Sequence, residues 1–219
     1  MFVTSVPTSQ PAPSAEKDLP PEIVEWLRRR SQRIVGRYDV SALVKCLACA
    51  YDDYMTERVE PVGDLWRKRR GLLLHNGLTY AFTWRELKVT HEFELEHETL
   101  NIVARLDTYV PERQTVYDFK STDDLDWQAG RGYLPRLHDI LQLQCYSTIF
   151  RRYIPISDLR LIYLDKASWK IYPVPLEDKL EWLTSRAIVL HKAIKAKARP
   201  TPDSDCWVCS RLPRRGGSP

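Results

Sequence analysis

Two pairs of cysteines, each separated by two residues, place the strongest constraint on how this chain can fold. Cys46 and Cys49 lie near the start of the patterned part of the sequence, and Cys206 and Cys209 lie near its end. Four thiolates with this spacing can bind a zinc ion or an iron–sulfur cluster, whereas a redox-active dithiol would need only one pair. A shared metal site would require the two ends of the chain to meet, which closes a very long loop. The spacing does not choose between zinc and iron.

The composition is that of a globular chain. It has 219 residues, of which 43% are hydrophobic and 28% are charged, and its formal net charge is +4. These values predict one domain with a proper core, and the charge permits an anionic partner without requiring one. No segment approaches the ~20 apolar residues that span a bilayer, and the N-terminus lacks the pattern of a secretory signal. We therefore expect a cytoplasmic location, where disulfides are disfavoured.

The middle of the chain predicts two neighbouring strands. Residues 101–120, NIVARLDTYVPERQTVYDFK, have strand patterns on both sides of a turn-forming sequence at 111–114. We expect strands over about 100–110 and 115–120, with the second folded back against the first.

Acidic side chains lie near the ends of both predicted strands. The first strand carries Asp107, and the second ends on Asp118, Phe119 and Lys120. Side chains alternate along a strand, so Asp118 and Lys120 point to one face and Phe119 to the other. Two carboxylates can bind a hard divalent cation, and a neighbouring lysine can orient water or stabilise charge during phosphodiester cleavage. The triplet alone is equally consistent with solvated strand ends.

The flanking sequence predicts helices around a central sheet. Apolar periodicity indicates helices over about 22–37, from an N-cap at Ser41 onward, and over 62–75, 134–151 and 176–197. Further strands are expected over about 78–84, after an Asn76-Gly77 turn, and over 88–95, 159–164 and 169–174, with a loop at 121–133. The first 21 residues, rich in Pro, Ser and Thr, are expected to form a mobile tail.

Three polar side chains on the predicted helices are further candidates for the site. Gln142 and Tyr146 lie one helical turn apart and could contact a nucleotide, although the simpler interpretation places Tyr146 in the core. His75 could turn towards the sheet edge as a ligand, although a lone histidine there is more often packed. The arginine-rich runs at 28–33 and 67–70 are interpreted as solvated helix faces or as phosphate contacts.

Five segments, taken in order, resemble the RecB-like branch of the PD-(D/E)XK nucleases. More narrowly, they are similar to the CRISPR-associated iron–sulfur exonucleases of the spacer-acquisition module. The segments are VSALVKC ending at Cys46, GLLLH ending at His75, VARLD ending at Asp107, DFK at 118–120 and QLQCY at 142–146. The resemblance covers about residues 40–209. It implies an α/β, restriction-endonuclease-like core, with a mixed central sheet flanked by helices, and a helical, cysteine-clipped lobe.

The resemblance also implies boundaries and roles. It implies one nuclease domain over 22–219, with a core at about 62–174 and a cluster lobe from 39–60 and 175–210. The implied ligands of Mg²⁺ or Mn²⁺ are His75, Asp107 and Asp118, with the Phe119 carbonyl as a further candidate. Lys120 would be the catalytic lysine, and Gln142 and Tyr146 would help to place DNA. Cys46, Cys49, Cys206 and Cys209 would bind the iron–sulfur cluster.

The implied activity is a 5′-to-3′ exonuclease on single-stranded DNA that trims fragments for a CRISPR array, with the CRISPR integrase complex as partner. Two features depart from the family pattern. Two cysteines precede the core and two follow it, instead of one and three, so the cluster is either [4Fe-4S] or [2Fe-2S] and Cys49 is the least secure ligand. Ala104 stands where glycine is common. The alternatives are a non-catalytic, zinc-containing DNA-binding adaptor with a nuclease-like fold, and a redox protein.

Overall fold

A computed structural model describes residues 20–28, 33–56, 62–84, 90–97, 101–204, 206 and 208–209. The six strands are β1 (Tyr38–Asp39), β2 (Thr90–His97), β3 (Ile102–Val110), β4 (Thr115–Ser121), β5 (Asp158–Leu164) and β6 (Trp169–Val174). The seven α-helices of the described residues are α1 (Pro21–Arg28), α2 (Val40–Leu43), α3 (Leu47–Met55), α4 (Val62–Trp84), α5 (Leu125–Gly130), α6 (Leu137–Phe150) and α7 (Leu180–Ala196).

The strands form one mixed sheet in the order β1-β3-β4-β5-β6, with β2 also paired to β3. β3 is antiparallel to β2 and β4, β4 is parallel to β5, and β5 is antiparallel to β6. One edge of β3 pairs with β2 along most of its length. The other edge pairs with β1 at its start and with β4 at its end. The strand pair predicted over 101–120 is therefore present, with a short 3₁₀ turn (Pro111–Arg113) as its connection.

The main core lies between the sheet and the helices α2, α3, α6 and α7. Its members include Leu106, Val116 and Leu161 from the strands and Leu143 and Leu190 from the helices. These aliphatic side chains are almost fully buried, and burial of each stabilises the fold by roughly 1.5–3 kcal/mol. A second, small cluster joins α1 to the start of α4 through Leu27, Val62 and Leu65. The predicted fold class, a mixed central sheet flanked by helices, is confirmed.

Helix α4 is longer than predicted and comes close to strand β4. The predicted strand over 78–84 is wrong, because α4 continues through Asn76 and Gly77 to Trp84. An Asn-Gly pair favours a tight turn between two strands, but a helix precedes it here, and helical hydrogen bonding outweighs the ~1 kcal/mol cost of one glycine. At Gly71 the helix comes close to β4, since a Cβ there would lie 3.1 Å from Ser121 Oγ.

Three further predictions near the helices are wrong in detail. The helix predicted over 22–37 ends earlier, since residues 33–37 are not helical and Gly36 has φ +95°. The predicted helix from Ser41 is two helices, with Asp39 rather than Ser41 at the first N-cap and Cys46 at the second. The predicted loop over 121–133 contains α5, whose N-cap Asp124 accepts a hydrogen bond from the Trp127 N–H.

Two other expectations concern the N-terminal tail and membrane-spanning segments. Of the predicted tail, residues 1–19 lie outside the described residues. No helix of the described residues is long and apolar enough to cross a membrane.

Candidate functional site

The two central strands separate at the acidic residues. Their ladder ends at the pair Thr108 and Tyr117, so the next pair in register would be Asp107 and Asp118. Instead, the Phe119 backbone N–H donates a hydrogen bond to Asp107 Oδ2 at 2.9 Å. The Asp107 side chain thus takes the place of a ladder acceptor, and the strands open into a small acidic gap.

Asp118 and Lys120 face the same side of β4, as strand alternation predicts. Lys120 Nζ lies 2.7 Å from Asp118 Oδ2, and the two side chains are 17% and 2% exposed. Despite this close ion pair, neither Asp118 oxygen has a hydrogen bond of good geometry within the described part of the chain. A buried carboxylate is costly unless it is paired and hydrogen-bonded, so this carboxylate fits a cation ligand.

The electrostatics of the gap favour a bound cation. Burial raises the pKa of Asp118 to about 7; the Lys120 ammonium opposes this rise, and the carboxylates of Asp107 and Asp139 add to it. Burial also disfavours the Lys120 ammonium, but the same three carboxylates outweigh it and raise the pKa of Lys120. Three carboxylates facing one ammonium give the site a negative balance, and oxygen ligands of this kind suit Mg²⁺ or Mn²⁺.

Helix α4 brings His75 to the same gap. His75 Nδ1 lies 3.5 Å from Asp107 Oδ2, and its ring centroid is 5.9 Å from that of Phe119. Because Phe119 alternates with Asp118 and Lys120, it faces α4, whereas those two face α6. The gap is therefore lined from both faces of the sheet, with the imidazole on one side and the ion pair on the other.

Helix α6 places Gln142 and Tyr146 beside the ion pair. Gln142 Nε2 donates to the Tyr146 hydroxyl at 2.7 Å. Tyr146 belongs to the main core, and burial raises the pKa of its hydroxyl next to Lys120. A ring in this position cannot stack on a nucleotide. Tyr146 instead packs in the main core, while Gln142 is half-buried.

The sequence did not point to one buried carboxylate of the site. Asp139 lies in the first turn of α6, where it accepts a hydrogen bond from the Tyr163 hydroxyl at 2.5 Å. His138 Nε2 lies 3.2 Å from its other oxygen. An acidic residue in a first turn is typical of ordinary helices because it interacts with the helix dipole. No local pattern therefore distinguishes Asp139.

The four cysteines of the two pairs come together at a second place. Their ligand atoms all lie within 4.8 Å of one another. Sulfur–sulfur distances are 3.3 Å for Cys49 and Cys209, 3.6 Å for Cys49 and Cys206, and 3.8 Å for Cys46 and Cys209. The fifth cysteine, Cys145, is buried in α6 and lies outside this group. The predicted meeting of the two chain ends is confirmed.

The sulfur distances test which group the cysteines can hold. Four bonds of ~2.3 Å in a tetrahedron place the sulfurs about 3.8 Å apart, so these distances fit one tetrahedral ion. Burial and the thiols of Cys209 and Cys206 raise the pKa of Cys49, so a cation is needed to keep it as a thiolate. The four cysteines are therefore a donor set that could hold a metal ion.

Backbone and side-chain donors surround the sulfurs. The backbone N–H of Asp203 lies 3.4 Å from Cys46 Sγ, and that of Cys209 lies 3.5 Å from Cys206 Sγ. Arg199 donates to both oxygens of Asp52, at 2.9 and 3.0 Å, and its Nη2 lies 3.5 Å from Cys209 Sγ. Asp52 lies on α3 one turn after Cys49, so this pair joins α3 to the C-terminal segment.

The arginine runs are partly engaged in contacts within the chain. Arg33 pairs with Asp39 at 3.2 Å, and Arg67 pairs with Asp64 at 3.1 Å. Arg70 pairs with Asp123 at 2.5 Å, in the loop that follows β4. These ion pairs lie at exposed or half-exposed side chains, so the solvated faces and the phosphate contacts both stay predictions. Arg29 and Arg30 lie outside the described residues.

Comparisons with known proteins agree with this architecture. No family model and no curated protein matches the sequence. The fold is similar to the crystal structure of SSO0001, with a TM-score of 0.57 and 18% identity, covering 87% of this chain and 91% of that chain. It is also similar to a phage related exonuclease from Haemophilus somnus 129PT, with a TM-score of 0.51 and 12% identity, covering 74% and 94% of the two chains. The fold is nuclease-like.

Proposed function

We propose that this chain is a metal-dependent exonuclease that degrades single-stranded DNA, acting from 5′ to 3′. The buried Asp118 carboxylate carries the proposal, since its oxygens lack well-formed hydrogen bonds among the described residues while Lys120 lies 2.7 Å away. The likeness to a phage related exonuclease supports it at the level of the fold. The acidic gap between β3 and β4 is the proposed catalytic site.

The residues of the gap have distinct roles in this proposal. Asp107, Asp118 and His75 would hold Mg²⁺ or Mn²⁺, which lowers the pKa of an attacking water and neutralises charge on the phosphate. The Phe119 N–H fixes the Asp107 carboxylate. Lys120 keeps its proton and donates hydrogen bonds from Nζ, which orients the water or stabilises the negative charge that develops on the phosphate oxygens. The carboxylates of Asp118, Asp139 and Asp107 favour this protonated form.

The cysteine centre has a structural role in the proposal. It would tie α3 to the C-terminal segment through an iron–sulfur cluster, as the family resemblance implies. The 5′-to-3′ polarity, a role in CRISPR adaptation and a contact with the CRISPR integrase complex rest on that resemblance alone, whereas the cytoplasmic location is expected from the sequence patterns. The location, the CRISPR role and the partner complex are proposed as the biological setting of the exonuclease.

A second candidate function is a non-catalytic, zinc-containing DNA-binding adaptor. One observation favours it, namely sulfur distances of 3.3–3.8 Å, which fit a single tetrahedral ion. In that case the metal of the acidic gap would be dispensable, and binding to DNA would weaken steeply with salt.

An assay of labelled single-stranded DNA with Mn²⁺ tests the proposed exonuclease. Wild-type protein should release nucleotides, and Asp107→Asn should not, because the substitution removes a carboxylate ligand. Asp158→Asn is a matched control. Asp158 lies at the start of β5, away from the acidic gap, and pairs with Arg160. Loss of cleavage in the control, or equal cleavage by Asp107→Asn, would count against the proposed site.

Metal analysis of anaerobically purified protein separates the two candidates for the cysteine centre. Brown protein that contains iron and sulfide supports the cluster. Colourless protein with one zinc per chain supports the adaptor, and it would do so decisively if the Mn²⁺ assay also showed no cleavage.

A further inference from the structure

Helix α5 and the residues after it present a group of exposed rings stacked with an arginine. Trp127 and Tyr133 are 50% and 53% exposed, and their ring centroids are 5.5 Å apart. The Arg131 guanidinium lies 4.8 Å from the centre of the Trp127 ring. We call Trp127, Arg131 and Tyr133 the α5 platform. Both rings lie outside the main core cluster of the described residues, so core packing does not explain them.

The α5 platform is held by a rigid set of anchors. Leu125 is fully buried, and its N–H donates to Asp165 Oδ2 at 3.1 Å. Gln128 donates to Thr122 Oγ1 at 2.5 Å and accepts from Arg136 Nη2 at 2.9 Å. The rings are therefore exposed on a fixed scaffold. Binding of a ligand to them would cost the protein little conformational entropy.

The α5 platform lies next to the end of β4, the strand that carries Asp118 and Lys120. The Thr122 N–H bonds to the Leu164 carbonyl at 2.8 Å, which continues the sheet into the loop that leads to α5. In the same loop, Asp123 pairs with Arg70 of the basic run on α4. The acidic gap, the basic run and the platform therefore adjoin one loop of about three residues.

The charge at the platform suits a nucleic acid. Asp123 is paired with Arg70, and Asp126 is paired with Lys170 at 2.9 Å. Arg131 has no ion-pair partner among the residues that the structure describes, so its charge is available beside the rings. Exposed aromatic rings with a stacked cation are the combination that binds unpaired bases, because every base has a π-face and the phosphate is attracted by the arginine.

We infer that the α5 platform stacks an unpaired base of single-stranded DNA as the strand passes the acidic gap. This inference rests on the proposed function, because the gap supplies the reason for DNA to lie there. The platform then selects single strands over duplex, whose bases are already stacked. It binds substrate and has no part in the cleavage step.

Equilibrium binding of a short fluorescent oligothymidylate tests the inference. All variants carry Asp107→Asn, so that the oligonucleotide stays intact. Replacing both rings, by Trp127→Ala with Tyr133→Ala, should weaken binding roughly 5- to 150-fold, the range expected for loss of base stacking. A matched oligomer of abasic sites should bind the Asp107→Asn parent and the double variant equally. Tyr133→Phe should retain the affinity of the parent, since it keeps the ring.

Tyr153→Ala is the matched control. Tyr153 is 56% exposed, but it follows α6 and precedes β5, away from the end of β4 where the platform lies. Equal loss of affinity in this control would overturn the platform, as would a double variant that binds like its parent or a blunt duplex that competes as well as the single strand.

Two outcomes distinguish an incorrect α5 platform from an incorrect nuclease assignment. Wild-type protein that cleaves DNA in an Asp118-dependent way, while the double ring variant binds normally, overturns the platform alone. Wild-type protein that neither binds nor cleaves single-stranded DNA overturns both.

Discussion

The acidic gap and the cysteine centre are two candidate metal sites that the chain builds in different ways. The gap comes from two strands that are adjacent in sequence, and helices α4 and α6 supply its walls. The cysteine centre joins residues from the two ends of the chain, and donors from the backbone and Arg199 already surround its sulfurs. Asp118, in contrast, is buried without well-formed hydrogen bonds among the described residues.

In the proposed function, the acidic gap serves catalysis and the cysteine centre serves stability. A carboxylate that is buried and incompletely satisfied keeps a strong affinity for a cation and a high local charge, which are properties of a catalytic site. Thiolates that are clamped by neighbouring donors hold a metal for its contribution to folding. Changes in the gap should therefore affect cleavage most, and changes at the cysteines should affect stability most.

The largest expected effect is on cleavage by Lys120→Gln. Loss of the ammonium should lower the rate of DNA cleavage by about 10²- to 10⁴-fold, as is usual for a group that assists proton transfer or stabilises charge. Binding of Mn²⁺, measured by calorimetry, should be retained, because the carboxylates remain. Lys166→Gln is the control, since Lys166 is exposed in the turn before β6. A Lys120→Gln protein that cleaves at the wild-type rate would place the catalytic group elsewhere.

Cys206→Ser should instead act mainly on stability. Without a metal bound to all four cysteines, the long loop between the two cysteine pairs is no longer closed. The free energy of unfolding should therefore fall by on the order of 5 kcal/mol. Metal content and thermal unfolding measure this. Cys145→Ala removes a cysteine outside the centre and should keep the metal. Full metal content in Cys206→Ser would contradict the assignment of the ligands.

The pH dependence of the metal-free protein should reveal the buried Asp118. Its pKa is about 7 in the folded protein and about 3.9 in the unfolded chain, so between these values the folded state binds a proton that the unfolded state has released. Stability should therefore fall as the pH rises from about 4 to about 7 and level off above that, with a total loss of at most about 4 kcal/mol. Urea unfolding of wild type and Asp118→Asn at several pH values checks this, and the variant should lack that component. Identical pH profiles would show that burial does not raise the pKa of Asp118.

The smallest expected effect belongs to the pair of Arg199 and Asp52. Arg199→Gln or Asp52→Asn should weaken retention of the cysteine metal by about 10- to 100-fold, because partners of metal ligands tune affinity by this amount. The rate of metal release to a chelator is the measurement. Arg160→Gln, which breaks a comparable ion pair with Asp158, is the control and should release metal at the wild-type rate.

Sequence patterns predicted the parts of this molecule that depend on local order. Alternation placed Asp118 and Lys120 on one face of β4, and the two short cysteine spacings predicted that Cys46 and Cys209 meet. The alternation is a local property of one strand, whereas the cysteines were predicted to meet because each pair supplies only two of the four thiolates that a metal site needs.

Contacts between distant segments could not be predicted in this way. Asp139 and Asp52 look like ordinary surface acids in the sequence, and only packing places the first next to Lys120 and the second next to Arg199. The exposed rings of the α5 platform lie in a segment that was predicted to be a loop. For α4, a local turn signal at Asn76 was overridden by the helix that precedes it.

Mn²⁺-dependent cleavage of end-labelled single-stranded DNA by wild type and Asp118→Asn is the most direct test of the proposed nuclease. Both proteins should unfold cooperatively on heating with the cysteine metal bound, which shows that the variant is folded. We expect wild type to release nucleotides only when Mn²⁺ is present, and Asp118→Asn to be slower by at least about 100-fold, since a cation contributes several kcal/mol to this reaction. Cleavage by Asp118→Asn at the wild-type rate would contradict the assignment of the acidic gap as the catalytic site.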